Sequence, residues 1–370
     1  MILKYKINKS YNYITFCNKK NKSYLSKSLD SIETDKNVLL LYDNKIDKKI
    51  INDIFEDLKL SGCNIFSIRS NGEKINKNEN FLFNIIDFLL KNKFTKRSVI
   101  ISCGGGVIGD VAALASSLYL RGLYYYNIPS TMTAIIDSSI GGKTAINYKG
   151  IINSIGTYYH PKNVFILQDI INKLPKREFL AGIAEVIKCG LIGNKEILKF
   201  LKTNKEKILE REYKLISKLC YLTLKTKINF FINDIYENNK RLNLNFGHTF
   251  AHSIEMAIES ISKKEIMRHG EAVGLGMLCE IYYSNKGKSK LYNFTKDLLE
   301  DYSLPTSISC SELKIKKLLL QNNIYKNIFF DKKKINKFPR YISLKKQGNP
   351  IIKEIKDFDF LNDTILEIIE

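Results

Sequence analysis

This 370-residue sequence predicts an α/β domain built on a parallel sheet, followed by an all-helical domain. Three observations predict it. Residues 37–103 alternate short apolar runs with a segment of helical periodicity. A glycine-rich turn follows the last of those runs directly. Beyond Pro175, long segments of helical period replace the strand signals. The length suffices for two domains with separate cores. The change of pattern falls within NKLPKRE (172–178), so the expected domains are 1–175 and 176–370.

The elements follow in order. NVLLLYD (37–43) and CNIFSI (63–68) read as buried strands and RSVIISC (97–103) as another, in keeping with a parallel sheet. ENFLFNIIDFLLKN (79–92) carries an apolar stripe at helical spacing and reads as a crossover helix. In the second half REFLAGIAEVIKCGLI (177–192), KEILKFLKTNKEKILE (195–210) and GHTFAHSIEMAIES (247–260) read as helices. Residues 284–300 and 320–357 are lysine-rich and read as loops or solvated helix faces. No internal repeat is found.

The formal charge of +21 raises the question of a nucleic-acid partner. The excess is mostly lysine spread from end to end, with no aromatic RNA-binding motif, zinc-finger spacing or arginine-rich arm, so the expectation is no nucleic acid. No stretch is apolar for long enough to cross a bilayer, and MILKYKINKSYNYITF lacks the apolar centre of a secretory signal. Seven scattered cysteines (17, 63, 103, 189, 220, 279 and 310), odd in number and without a CxxC pair, are expected to be reduced thiols in a cytoplasmic protein.

Directly after RSVIISC comes GGGVIGDVAALASSLYLRG. Gly104, Gly106 and Gly109 satisfy GxGxxG. Glycines there let the backbone approach a diphosphate, which the free N–H groups and the helix dipole attract. Alone, the match suits a tight strand-to-helix turn equally well. It also follows several β/α units instead of opening the first one, so a nucleotide would be held differently than in an ordinary dehydrogenase. DSSIGGKTAIN (137–147) contains GGKT, but Asp137 stands where a P-loop needs its first glycine. What remains is read as a polar loop in which Asp137, Ser138, Ser139, Lys143 and Thr144 would suit a polyhydroxylated substrate.

The chain has four histidines, and His248, His252 and His269 fall within one short span. His248 and His252, four apart, share a helical face. HTFAH lacks the glutamate of HExxH, so a metalloprotease is not expected. Upstream, Glu185 lies in the apolar helix AGIAEVIKCG, where a charge is costly unless paired or metal-bound. A carboxylate and two imidazoles with one open position form a recurrent catalytic zinc set.

GGGVIGD, RG (121–122), IPSTMTAIIDSSIGGKTAIN, GIAEVIKCG, LNFGHTFAHSIE and RHGEAVGLGM occur in an order and at intervals that resemble the 3-dehydroquinate synthase family. The resemblance runs from about residue 40 to 335. It implies a Rossmann-like domain, a helical C-terminal domain, NAD, a divalent metal (zinc, with cobalt as an alternative) and a homodimer. The implied substrate is 3-deoxy-D-arabino-heptulosonate 7-phosphate, converted to 3-dehydroquinate and phosphate in the shikimate pathway of aromatic amino acid biosynthesis. The implied sequence of steps is transient oxidation, β-elimination of phosphate, reduction and intramolecular aldol closure, with no net redox. Residue by residue, the implied metal ligands are Glu185, His248 and His269, with His252 beside them or on the substrate. Asp137, Lys143, Asn153, Lys188, Lys227, Arg241 and Asn245 match substrate-holding positions. Arg121 matches an arginine reaching the neighbouring subunit's site, and Lys332 or Lys333 one that closes over the substrate. Asp43, Glu73, Gly105, Gly106, Asp110, Ser130 and Thr131 match cofactor-binding positions, together with Asp137 and Lys143.

The chain departs from that pattern in three places. Ile152 stands where a lysine is expected, with Lys149 the nearest alternative. Asn76 stands where the cofactor lip has lysine, with Lys77 one step late. Lys173 stands where threonine is common. Two related readings share this architecture, a cyclase such as 2-deoxy-scyllo-inosose synthase and a metal-dependent polyol or alcohol dehydrogenase. Arg241 and Asn245 favour a carboxylate-bearing substrate over both.

Overall fold

The computed structural model describes residues 1–7, 10–18, 23–263, 266–330 and 338–370. The chain divides into two units, Met1–Pro175 and Lys176–Glu370. In the first, the elements run β1 (Ile2–Ile7), β2 (Ser10–Cys17), α1 (Tyr24–Asp30), β3 (Asn37–Asp43), α2 (Lys48–Leu60), β4 (Asn64–Ser70) and α3 (Glu79–Lys91). They continue with β5 (Val99–Gly104), α4 (Gly106–Leu118), β6 (Tyr124–Pro129), β7 (Lys143–Tyr148), β8 (Ile151–Tyr158), β9 (Asn163–Leu167) and α5 (Gln168–Lys173). Seven strands form one sheet in the order β1-β2-β9-β6-β5-β3-β4, parallel except for β1. The hairpin β1–β2 is an addition that its mixed lysine, tyrosine and isoleucine alternation did not reveal.

The strand side chains alternate between two apolar layers. Val38, Leu40, Val99 and Ile101 face α1 and α2, whereas Leu39, Leu41 and Ile100 face α3 and α4. The helices that follow the adjacent strands β3 and β5 therefore lie on opposite faces. Between them, at the carboxyl ends of those strands, a crevice opens of the kind in which open α/β sheets bind ligands. Strand register brings the ends level, with Tyr42 opposite Cys103 and Gly104 opposite Pro129.

Residues 137–147 are not one polar loop. Ala134–Ser138 form a π-helical turn, and Lys143–Tyr148 are a strand paired with β8. Ser139 and Thr144 are buried, and their hydroxyls are used inside the fold, on the Ile135 carbonyl and on Thr157. Those two leave the list of substrate donors.

The second unit contains α6 (Lys176–Ile192), α7 (Lys195–Thr203), α8 (Lys205–Leu209), α9 (Tyr213–Phe231), α10 (His248–Ser262), α11 (His269–Asn285), α12 (Lys290–Asp301), α13 (Cys310–Leu313), α14 (Lys317–Phe330) and α15 (Phe358–Glu367). The segment 195–210, read as one helix, is broken at Asn204, the residue between α7 and α8. Among the described residues the unit is mainly helical, with one hairpin, β10 (Arg340–Leu344) with β11 (Pro350–Glu354). It falls in the lysine-rich stretch read as loops or solvated helix faces. Tertiary contacts explain it: buried Glu280 of α11 accepts from the Ile342 N–H at 3.1 Å. From Phe179 to Ile192, α6 is buried on every face. No described helix is long and apolar enough to cross a membrane.

Two glycines set the spacing of the central helices. A Cβ on Gly270 of α11 would run into the backbone of Ala181 in α6. One on Gly276 would run into the carbonyl of Gly247, the residue that opens α10. Hydrogen at these positions is what lets α11 approach both neighbours.

Candidate active site

On α6, Glu185 and Lys188 stand one turn apart, each 1% exposed, and form an ion pair. Two charges so deeply buried are tolerated only when each meets a partner. His248 and His269 are the first residues of α10 and α11. Their Nε2 atoms both lie 3.6 Å from Glu185 Oε1. The ligand-capable atoms of the three residues fall within 4.8 Å of one another.

The outer ring nitrogens are engaged too. His248 Nδ1 is 3.2 Å from the Phe246 carbonyl, to which it donates, so that Nε2 is the nitrogen turned to Glu185. His269 Nδ1 lies 3.3 Å from Glu255 Oε1. Burial opposes a charge on His269, but hydrogen bonds to Glu185 and Glu255 and their negative charges outweigh it and push its pKa up to about 10. The metal-free ring is therefore protonated at neutral pH, and any metal must displace the Nε2 proton.

The start of α11 is fastened to α6. Arg177 grips Glu271 through two hydrogen bonds of 2.6 and 2.7 Å, Glu271 also accepts from the Arg268 N–H at 2.9 Å, and Arg268 Nε pairs with Glu178 at 2.6 Å. These bonds hold His269 opposite Glu185.

Glu255 was not anticipated. The signal was present, since 248, 252 and 255 lie on one helical face, but nothing in spacing alone tells a ligand-orienting carboxylate from a solvated one. His252 lies beside the triad, its ring centroid 5.4 Å from that of His248 and 6.0 Å from that of His269. Replacing Glu255 with alanine is expected to weaken zinc binding about 10- to 100-fold, the usual effect of losing a carboxylate that orients an imidazole ligand. His269 loses basicity toward proton and metal alike, so the deficit at neutral pH reports orientation. In the same titrations the intact protein should bind zinc more tightly as pH rises from 6 to 9. Equal zinc affinity in both proteins would remove Glu255 from the site.

Of the remaining candidates in the helical unit, Lys227 (α9) and Arg241 are buried. Arg241 Nη1 donates to the Ile235 carbonyl at 2.6 Å, and its N–H is held by Asp234 at 2.8 Å. Asn245 donates to Glu237 at 2.7 Å. Lys332 and Lys333 lie outside the described residues.

In the first unit the cofactor candidates gather at the carboxyl ends of the parallel strands. Asp43 ends β3, Glu73 follows β4, Gly105 and Gly106 follow β5, and Ser130 and Thr131 follow β6. Gly105 precedes α4 in an extended conformation and no side chain caps that helix, so its first N–H groups suit an anion. A Cβ on Gly105 would sit 3.4 Å from Thr131, and one on Gly106 3.4 Å from Ser138. Asp43 packs against the backbone of Gly72. Asp137 is on the π-helical turn, and Lys143 and Asn153 are exposed residues of the hairpin β7–β8. Burial pushes the Asp110 carboxyl above its usual range, while the neighbouring Lys77 ammonium opposes the shift. Arg121 is exposed at the end of a turn in which Leu120, Arg121 and Gly122 all have positive φ. Lys173 is paired with Asp47 and has no part in this group.

A parallel-sheet unit with a glycine turn at its switch point, and a helical unit holding a Glu-His-His cluster, define a chain of the dehydroquinate synthase-like fold. Family descriptions agree: residues 67–181 match the 3-dehydroquinate synthase N-terminal model and 182–334 the C-terminal model. The chain is 38% identical to a 3-dehydroquinate synthase of Clostridium tetani over 77% of its length and 78% of the relative's. It is 35% identical to that of Prochlorococcus marinus subsp. pastoris over 90% and 87%. Among solved structures, a 2-epi-5-epi-valiolone synthase from Streptomyces hygroscopicus with NAD+ and Zn2+ bound superposes with a TM-score of 0.83 at 18% identity, covering 98% of each chain. The chain belongs to the 3-dehydroquinate synthase family, and its enzymatic activity is that of the family.

Proposed function

We propose that the chain turns 3-deoxy-D-arabino-heptulosonate 7-phosphate into 3-dehydroquinate and phosphate using NAD and one divalent metal, zinc or cobalt, with a defined set of its own residues. The observation that carries the metal assignment is the convergence of two imidazole Nε2 atoms on one buried carboxylate oxygen, 3.6 Å from each. The donor set fits: one carboxylate and two neutral-capable imidazoles, each oriented through its outer nitrogen. When bound, the metal would polarise substrate hydroxyls as a Lewis acid and NAD would take up and return a hydride.

The chain's residues supply binding and charge. Glu185, His248 and His269 hold the metal, and Lys188 balances the carboxylate that it pairs with. Lys227 and Arg241, buried cations, attract the substrate carboxylate, and Asn245 and His252 orient its hydroxyls. In the first unit, Asp43 and Glu73 accept from the cofactor's ribose hydroxyls. Gly105, Gly106, Ser130 and Thr131 present donors to its diphosphate, with Asp110 beneath them. Asp137, Lys143 and Asn153 bind substrate or cofactor oxygens. The valiolone synthase neighbour, which holds NAD+ and Zn2+, supports both cofactors. Phosphate release from the heptulosonate phosphate, with NAD in trace amount, should be lost on chelation, return with zinc or cobalt, and leave no NADH behind. Stoichiometric NADH would instead identify a dehydrogenase.

The same reading makes the chain a homodimer in which Arg121 serves the neighbour's site. Every residue of β8 is exposed, with Ile151, Ile152, Ile155 and Tyr158 among them, and Thr157 ties that strand to Ser117 near exposed Leu118 and Leu120. An apolar surface of this kind suits a second copy. Mixing inactive Arg121→Ala chains with inactive His269→Ala chains should restore activity, because each mixed dimer has one intact site. No recovery after subunit exchange would place Arg121 in its own subunit's chemistry.

A further inference from the structure

Lys77 lies between the turn Lys74–Asn76 and α3, with a side chain 12% exposed. Its ammonium is 2.5 Å from Asp110 Oδ2, on the helix opened by the glycine turn, and 2.6 Å from Asn153 Oδ1, on the hairpin. The main chain joins in. The Lys77 carbonyl accepts from the Asn147 N–H at 2.8 Å, and Asn147 Oδ1 accepts from the Asn153 N–H at 3.0 Å. Lys77, Asn147 and Asn153 thus close a ring of hydrogen bonds that fastens the hairpin to α4. Asn153 needs this support, because it stands at a φ of +52° in the left-handed region.

The ring also fixes an orientation. An ammonium only donates, so the oxygen of the Asn153 amide must face Lys77 and its NH2 group must point away. The positions where lysines are expected are otherwise engaged. The Asn76 amide turns back onto Ser70 and Asn71, and Ile152 is apolar and 57% exposed. Lys149 lies over the Tyr148 ring, 5.4 Å from its centroid.

We propose that Lys77 is a positioning residue that turns the Asn153 amide NH2 toward a phosphoryl group of the bound ligand, replacing from one position the cations missing at 76 and 152. The proposal rests on the functional reading above, in which Asn153 and the glycine turn meet phosphorylated ligands. Two sources share that chemistry, the substrate's phosphate monoester and the cofactor's diphosphate, and two measurements separate them.

Lys77→Met and Lys77→Gln are to be compared with the intact enzyme, the second variant retaining a donor should the first fail to fold. A rise in KM for the heptulosonate phosphate of roughly 10- to 100-fold, as loss of charge-assisted hydrogen bonds predicts, with a smaller change in kcat, identifies the substrate phosphate. A similar rise in the NAD dissociation constant, from fluorescence titration without substrate, identifies the diphosphate. In either case Asn153→Ala should add little on top of Lys77→Met, because the one acts through the other. Unchanged KM and NAD affinity in folded Lys77 variants, or effects that add fully to those of Asn153→Ala, would overturn the proposal. An intact enzyme that neither binds NAD nor releases phosphate would overturn the functional reading instead.

Discussion

His269→Ala is expected to abolish turnover while leaving the fold in place. On the proposed assignment the ring would supply one of three donors to the metal, so the substitution should lower metal content after dialysis to near zero. A Lewis acid at the reacting hydroxyls stabilises the transition state by several kcal/mol, and about 1.4 kcal/mol corresponds to ten-fold in rate. Phosphate release should therefore fall by about 10³-fold or more. Melting of the metal-free protein should change little, because the His269 side chain is one-third exposed and Glu185 keeps its ion pair with Lys188. His252→Ala is the control: its ring lies beside the Glu185–His248–His269 set, so metal content should be retained even if rate falls. If His269→Ala retains full metal content and rate after chelation and reloading, the three-residue centre is wrong.

The second large effect is expected from a residue that touches no ligand. Gly276→Ala places a methyl group into the carbonyl of Gly247, immediately before His248. Overpacking a helix crossing costs about 1–3 kcal/mol, and near 200 residues each kcal/mol shifts the midpoint by about 2–4 °C. The melting temperature should fall by several degrees. Because α10 and α11 both begin with a histidine of the proposed metal set, forcing them apart should also weaken zinc binding. Gly274→Ala on the same helix is the comparison, for its Cβ would come closest to the flexible end of Leu299, at 3.2 Å. Calorimetry showing identical melting and zinc affinity for Gly276→Ala and the intact protein would refute the spacing argument.

Much of the fold could be read in advance where burial leaves a one-dimensional mark. The centres of NVLLLYD and RSVIISC, residues 38–41 and 99–101, are apolar without alternation because both faces of a covered parallel sheet are dry, and they lie in β3 and β5. The hairpin β10–β11 left no such mark. Only β10 is buried along most of its length while β11 alternates between half-buried and exposed, and the hairpin's register depends on Glu280, 62 residues from Ile342. The segment 137–147 misled for a related reason: hydroxyls look alike in a sequence, whether they point to a ligand or, like Thr144, to the opposite strand. Lys77 was noticed only as a lysine one place late, since no spacing rule links it to Asp110 and Asn153.

By itself the sequence determined the apolar strands of the parallel sheet, the helical character of the second half, and the unusual residue types: a lone carboxylate in an apolar helix and histidines clustered in a chain with only four. Chemistry and periodicity are local properties, and a string of residues records them. Tertiary structure alone decided which atoms face each other. It chose the histidine nitrogen that faces Glu185, set Glu255 behind His269, and let α11 close on its neighbours at two glycines. Those outcomes depend on packing between segments remote in the chain, where a displacement of one methyl group's width is enough to separate side chains that converge.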